Sequence, residues 1–251
     1  MKAKILSALL CCASLASTFV HADVYSDAVA NSARSEKDRA LDERRKPEQV
    51  MRFFEIKPGM KVLDVFAGGG YYSELMSYVV SNSGHITMYN NQPWQRFVQK
   101  SVDERLKDNR LANVSTLIVK PEELKNTKVK YDAAVFVLGM HDLYYAHPEN
   151  GWPEIDKTKF LQGIYSKLEP GAVFGVIDAN AVKGADNEHV GKSIHRVDPE
   201  AVIKDLEAVG FVLEAQGEFL RNPKDDLTTS VFLPENRYNT DRSVLKFRKP
   251  K

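Results

Sequence analysis

Residues 61–73, Lys-Val-Leu-Asp-Val-Phe-Ala-Gly-Gly-Gly-Tyr-Tyr-Ser, decide the fold, because a short apolar run gives way to three glycines and then to a helix-forming stretch. Val62, Leu63 and Val65 read as a strand buried on both faces. Gly68 to Gly70 supply a tight turn at which main chain can approach a ligand with no Cβ between them. Tyr71 to Val80 is then the following helix. Strand, glycine turn and helix together are the layout of a nucleotide-binding crossover.

On the N-terminal side, Lys57-Pro58-Gly59 makes the turn into this strand, and Pro47 suits the first turn of a helix running through Phe54. Residues 23–46 interleave Arg34, Lys37, Arg39, Arg44 and Arg45 with Glu36, Asp38, Asp42 and Glu43, which reads as a solvated helical arm. On the C-terminal side the punctuation alternates strand and helix. Strands are expected at His85–Tyr89, Val114–Val119, Ala133–Leu138 and Ala172–Ile177, with helices at Trp94–Lys107 and Asp156–Leu168. Asp198 caps a further helix with Pro199 at its first position and Gly210 beyond its end. Phe211–Phe219 and Ser243–Arg248 follow with no helix between them, so they are expected to pair antiparallel at one sheet edge. The predicted fold is α/β: a Rossmann-like, seven-stranded, mostly parallel sheet with an antiparallel C-terminal strand pair and helices on both faces.

At 251 residues and 43% hydrophobic content, one domain with a sizeable core is expected. The chain carries 35 basic and 34 acidic residues, which argues against a nucleic-acid partner. Residues 1–22 read as an export signal: Lys2 and Lys4 open it, Ile5 to Val20 is apolar or small, and Val20-His21-Ala22 fits a cleavage site. The uncharged stretch falls short of the roughly 20 residues that span a bilayer, so cleavage before Asp23 is preferred to an anchor, and no transmembrane span is expected in the mature chain. Domain boundaries are then 1–22 leader, 23–47 arm and 48–251 catalytic-type domain, with a periplasmic or secreted location. Cys11 and Cys12 both lie in the leader, so the mature chain would have neither a disulfide nor a thiol nucleophile.

The order of elements resembles the class I S-adenosylmethionine-dependent methyltransferases over most of residues 48–251. More narrowly, Asp64-Val-Phe-Ala-Gly-Gly-Gly-Tyr-Tyr-Ser-Glu74, Leu138-Gly-Met-His-Asp142, Ile194-His-Arg196, Leu220-Arg-Asn-Pro223 and Lys246-Phe-Arg-Lys-Pro250 resemble a group of exported bacterial predicted methyltransferases. The resemblance implies S-adenosyl-L-methionine as cofactor, with Asp64, Ala67, Gly68, Gly69, Gly70, Asn90 and Glu122 around it. Asp64 would orient the amino-acid end; its alternative is a carboxylate that caps the next turn. Phe66 stands where the family's first glycine is usual. Asn90 replaces the carboxylate that normally meets the ribose hydroxyls, and a charge-assisted bond is roughly twice as strong as a neutral one. After the third strand Lys120-Pro121 appears, and Glu122 is the nearest carboxylate. As a dinucleotide site the loop fits worse, since Ser73 takes the third small position.

Methyl transfer needs nucleophile and methyl held in line at about 3 to 3.5 Å, with a base where a proton must leave. Open α/β sheets bind ligands beyond the carboxyl ends of their strands, and His141 and Asp142 follow the fourth strand directly. They are the candidate catalytic pair, His141 to take a proton or orient a hydroxyl; a structural histidine and a turn-capping carboxylate are the alternatives. Asp142 with Asp178 and Asn180 resembles the oxygen set some O-methyltransferases use for a divalent cation, but spacing alone is weak and no metal is expected. His195-Arg196 could reach the same mouth. Aromatics from Tyr144 to Trp152 form either a substrate lid or a cluster packing the loop onto the core. The expected function is a methyltransferase with a small-molecule or surface-polymer acceptor; the alternative is an exported non-catalytic ligand-binding module on the same fold.

Overall fold

The computed structural model describes residues 23–251; the expected leader, with Cys11 and Cys12, lies outside the described residues. Seven strands form one sheet: β1 (Lys61–Val65), β2 (His85–Asn90), β3 (Val114–Ile118), β4 (Tyr131–Val137), β5 (Leu168–Ala179), β6 (Val212–Gly217) and β7 (Arg242–Arg248). Their order is β3-β2-β1-β4-β5-β7-β6. The first five pair in parallel, while β7 runs antiparallel to both β5 and β6. The expected antiparallel finish is present, with β7 inserted between β5 and the edge strand β6.

Both faces are covered, and the burial alternates with the pleat. Leu63, Val65, Ala134, Phe136, Phe174 and Val176 join one core cluster, whereas Val62, Ala133, Val135, Val173 and Ile177 join the other. On the second face pack α1 (Val24–Ala30), α4 (Pro47–Phe53) and α5 (Tyr71–Val80); between α1 and α4 lie two single turns, α2 (Glu36–Arg39) and α3 (Asp42–Arg45). Helix α6 (Gln92–Leu106), capped by Asn91, follows β2. On the first face, α7 (Lys157–Lys167) buries Phe160, Leu161 and Ile164, and α9 (Pro199–Ala208) buries Val202 and Leu206. Among the described residues no helix is long and apolar enough to cross a membrane.

Three local readings change. The arm is not simply solvated: Ala28, Arg34 and Asp38 are buried, and Arg34 is bidentate to Asp42 at 2.7 and 2.6 Å. Strand β5 starts at Leu168, ahead of Pro170-Gly171, because Leu168 already pairs with Tyr131 before a register shift. A helix not expected from sequence, α8 (Asn187–Ile194), follows β5; its N-cap Asp186 accepts from Glu188 and His189.

Candidate active site

The chain leaves β1 through Phe66, which sits at φ 48°, an uncommon conformation for a bulky side chain. Its ring stacks on Phe160 at 5.4 Å and meets Tyr89 at 5.6 Å and Trp152 at 6.1 Å, contacts that hold the bend in place. The glycines then divide the work. Gly68, at φ 57°, has nothing within 4 Å of where a Cβ would stand, so this is the bare main chain open to a ligand. At Gly70, φ 81°, a Cβ would fall 2.6 Å from Met88 and 2.8 Å from Arg105, so that glycine serves packing. Arg105 reaches in from α6, donating to the Gly69 carbonyl and pairing with Glu74 and Asp38.

Asn90, at the end of β2, is buried and spends its amide on the same loop. Its Oδ1 accepts from the Gly68 amide at 3.1 Å, and its Nδ2 donates to the Gly68 carbonyl at 3.2 Å. Asn90 therefore pins the glycine turn rather than pointing at open space. Glu122 lies on an exposed 3-10 turn, Pro121–Asn126, away from the cavity.

Asp64 is buried and accepts from Ser73 Oγ at 2.5 Å. Burial pushes its carboxyl up to about 7, against the pull of Ser73, Arg105 and Arg45. Two arginines stand on the same cavity wall: Arg242, buried, and Arg45, whose guanidinium lies 4.4 Å from the Tyr71 ring centroid. The Nε atoms of both are buried with no hydrogen-bond partner among the described residues. Buried donors of this kind are costly unless something accepts from them. A carboxylate-bearing ligand would supply that acceptor, while Asp64 suits its ammonium.

Beyond β4, Leu138 at φ 57° turns the chain into a 3-10 turn, Met140–Leu143, that carries His141 and Asp142. Asp178, at the end of β5, accepts the His141 amide at 2.9 Å and holds Nδ1 with both oxygens at 3.0 Å. With Nδ1 assigned as the donor to Asp178, Nε2 faces His195 Nδ1 at 3.3 Å and Asp142 Oδ1 at 3.5 Å. Burial opposes a charge on His141, but the carboxylates of Asp178 and Asp142 outweigh it and push it up to about 9. His195 goes the other way, pushed down to about 4 by burial and by the charge on His141. Asp142 is raised by burial and accepts from Tyr145 Oη at 2.8 Å.

His195 arrives by way of α8, which it closes in a left-handed conformation at φ 56°. Gly191 allows that approach: a Cβ there would stand 3.0 Å from the His141 carbonyl and 3.2 Å from Tyr145. Phe66, Leu138 and His195 are three left-handed non-glycine residues, and all three line one cavity of about 900 Å³. Strained backbone of this kind concentrates at functional sites.

That cavity brings together Asp64, Ala67, Gly68 and Gly69 at one end and His141 and Asp142 at the other, with Asp178 and His195 beside them. Gly70, Asn90 and Glu122 are not on its wall. Of the oxygen set considered from sequence, Asn180 turns away, binding Asp241 at 2.8 Å and Ser243 at 2.5 Å. Arg196 is fully buried in a bidentate pair with Asp225, both contacts 2.8 Å, so it is structural. In the aromatic connection, Tyr145 and Trp152 line the cavity, and the Trp152 indole donates to the Asp142 carbonyl at 3.2 Å. Sequence reasoning missed Asp178 as the partner of His141 and Arg45 and Arg242 as wall residues. Only the position of Asp178 at a strand end carried a signal.

Residues 18–137, a little under half of the chain, match the model of the protein-L-isoaspartate (D-aspartate) O-methyltransferase family. The match ends with β4, so it covers the glycine loop and stops short of His141. No curated protein matches the chain. Among solved structures, a SAM-dependent methyltransferase from Aquifex aeolicus is similar at TM-score 0.55 and 21% identity, covering 84% of this chain and 96% of that one. A candidate sarcosine dimethylglycine methyltransferase from Galdieria sulphuraria gives TM-score 0.58 at 16% identity, covering 85% of this chain and 88% of that one. The 4+2 cyclase SpnF gives the same TM-score, 0.58, at 16% identity, covering 88% of this chain and 85% of that one. The sheet order, the glycine loop and these likenesses give one conclusion: the chain has the fold of the class I S-adenosylmethionine-dependent methyltransferases.

Proposed function

We propose that this protein is an S-adenosyl-L-methionine-dependent methyltransferase, with the cofactor against Asp64 to Gly69 and the acceptor entering beside His141 and Asp142. The observation that carries the reading is the single cavity joining the glycine loop to the carboxyl ends of β4 and β5. The cofactor supplies an electrophilic methyl group on a sulfonium. Asp64 would take its ammonium, the unpartnered Nε groups of Arg45 and Arg242 its carboxylate, and the open face of Gly68 its nucleoside side. Aromatic and apolar groups, Trp94, Trp152, Tyr145 and Val98, exclude water from the far half.

The acceptor is a small molecule or a surface polymer, and the chain belongs with the exported bacterial group that its motifs resemble, working in the periplasm or outside the cell. Sequencing the mature N-terminus tests export; a start at Asp23 is expected, and a retained Met1 would refute it. Calorimetric titration of the purified chain with S-adenosylmethionine and S-adenosylhomocysteine tests the cofactor. Micromolar binding is expected, lost in Asp64→Ala and kept in His141→Ala. Absence of binding at millimolar ligand would leave the second reading, a non-catalytic module, which the engagement of Asn90 with the loop rather than with ribose favours.

A further inference from the structure

The geometry points to a divalent transition-metal site, of the zinc class, made by His141 Nε2, His195 Nδ1 and Asp142 Oδ1. It is independent of the cofactor assignment. The three residues line the cavity, and one ligand atom from each lies within 4.8 Å of those of the other two. Ligand atoms about 2.0 to 2.1 Å from a tetrahedral zinc ion stand about 3.3 to 3.4 Å apart. The His141–His195 and His141–Asp142 separations are 3.3 and 3.5 Å, matching two edges of such a tetrahedron.

The surroundings argue the same way. A metal-binding histidine characteristically donates its other ring nitrogen to a carboxylate, which fixes the ring and raises its basicity. Asp178 does this for His141, holding Nδ1 with both oxygens and the backbone amide with one of them. Asp142 is steadied in turn by Tyr145 Oη. Two imidazoles, with the Nε2 proton of His141 released to solvent as the metal binds, and one carboxylate suit a borderline-soft cation better than magnesium or calcium, which take oxygen. Three protein ligands leave a fourth position, and all three line the cavity, so that position opens where an acceptor would lie. An acceptor hydroxyl bound there would lose its proton more readily, as water does on zinc.

The ligands come from separate elements. His141 and Asp142 come from the turn after β4, and His195 from the end of α8, brought in by Gly191. Outside this cluster, His85 bonds Ser115 at 2.7 Å and His147 pairs with Glu149 at 3.0 Å.

The test is titration of the chelator-stripped full chain with cobalt(II), followed by zinc competition against a chromophoric chelator. One equivalent of cobalt with the intense visible bands of tetrahedral coordination is expected, displaced by zinc. His195→Ala and Asp142→Asn should weaken binding at least about 100-fold, Asp178→Asn about 10- to 100-fold, and His147→Ala not at all. Lack of stoichiometric binding by the folded wild-type chain at micromolar metal would overturn the proposal. So would equal affinity in a folded His195→Ala variant. If that variant does not fold, the wild-type cobalt spectrum decides alone: octahedral, weakly absorbing cobalt refutes the site. S-adenosylmethionine titration of the same samples reads out separately, so failure of the metal site and failure of the cofactor reading are distinct results.

Discussion

Asp64 carries more of the site than its place in a motif conveys. Its carboxyl is driven up to about 7 from 3.8 by burial. The folded pKa is raised above the unfolded one, so the group's contribution to stability is complete below about pH 4 and is lost as pH rises through about 7. The loss is on the order of 4 kcal/mol at most, since one pKa unit is worth about 1.4 kcal/mol. Asp64→Asn should therefore raise the urea midpoint above wild type at pH 8 and leave it unchanged at pH 3.5, while weakening cofactor binding at pH 8, where the wild-type carboxylate is charged. A variant no more stable at pH 8 would show that Asp64 is not held in a costly environment. At the same scale, Gly70→Ala meets Met88 and Arg105 and requires a residue with a side chain at φ 81°. It should cost about 1 to 3 kcal/mol, read by thermal melting, from overpacking and backbone strain together.

At the scale of elements, the connection from β6 to β7 has no regular strand or helix, yet it forms much of the cavity wall through Val231, Phe232, Arg237 and Tyr238. It is held by polar contacts. Arg196 pairs with Asp225 and donates to the Thr229 carbonyl at 2.8 Å, while Asp225 accepts the Asp241 amide at 2.6 Å. Removing one partner of a buried pair leaves an uncompensated charge and costs about 3 to 5 kcal/mol. Arg196→Ala should accordingly lower stability by that amount and increase proteolytic nicking within 218–241. Unaltered protease resistance would mean that the aromatic contacts of Phe232 with His195, at 4.6 Å, suffice. Helix α8 deserves the same reading: Asp186 as cap and Val190 and Ile194 four apart were legible signals, but the stretch is short and ends in no glycine.

At the scale of the whole molecule, the arm closes the cofactor end. Lys37, Asp38, Leu41 and Arg45 line the cavity. Asp42 accepts from Tyr71 Oη at 2.6 Å, Tyr72 Oη donates to the Arg45 carbonyl at 3.1 Å, and Asp38 meets Arg105 at 2.8 Å. A chain beginning at residue 46 should lose S-adenosylmethionine affinity at least about tenfold, since one cavity wall and several charged hydrogen bonds worth about 1.5 to 3 kcal/mol each are removed. It should also melt lower than the chain beginning at residue 23. Equal affinity in the two would assign the arm to packing alone.

The sheet was legible in residues 61–73 and in the turn residues between later strands because period, caps and glycines act locally, within a few residues of where they stand. Strand existence, the antiparallel finish and the Asp198–Gly210 helix all follow from such signals. Tertiary structure alone decided which groups meet. Asp178 and His195 lie 37 and 54 residues from His141, and Arg242 comes from the last strand to a wall shared with Arg45. It also turned Asn90 and Gly70 inward and buried the charges of the arm. Long-range pairing of charges depends on crossovers and desolvation, and neither is written in the spacing of neighbouring residues.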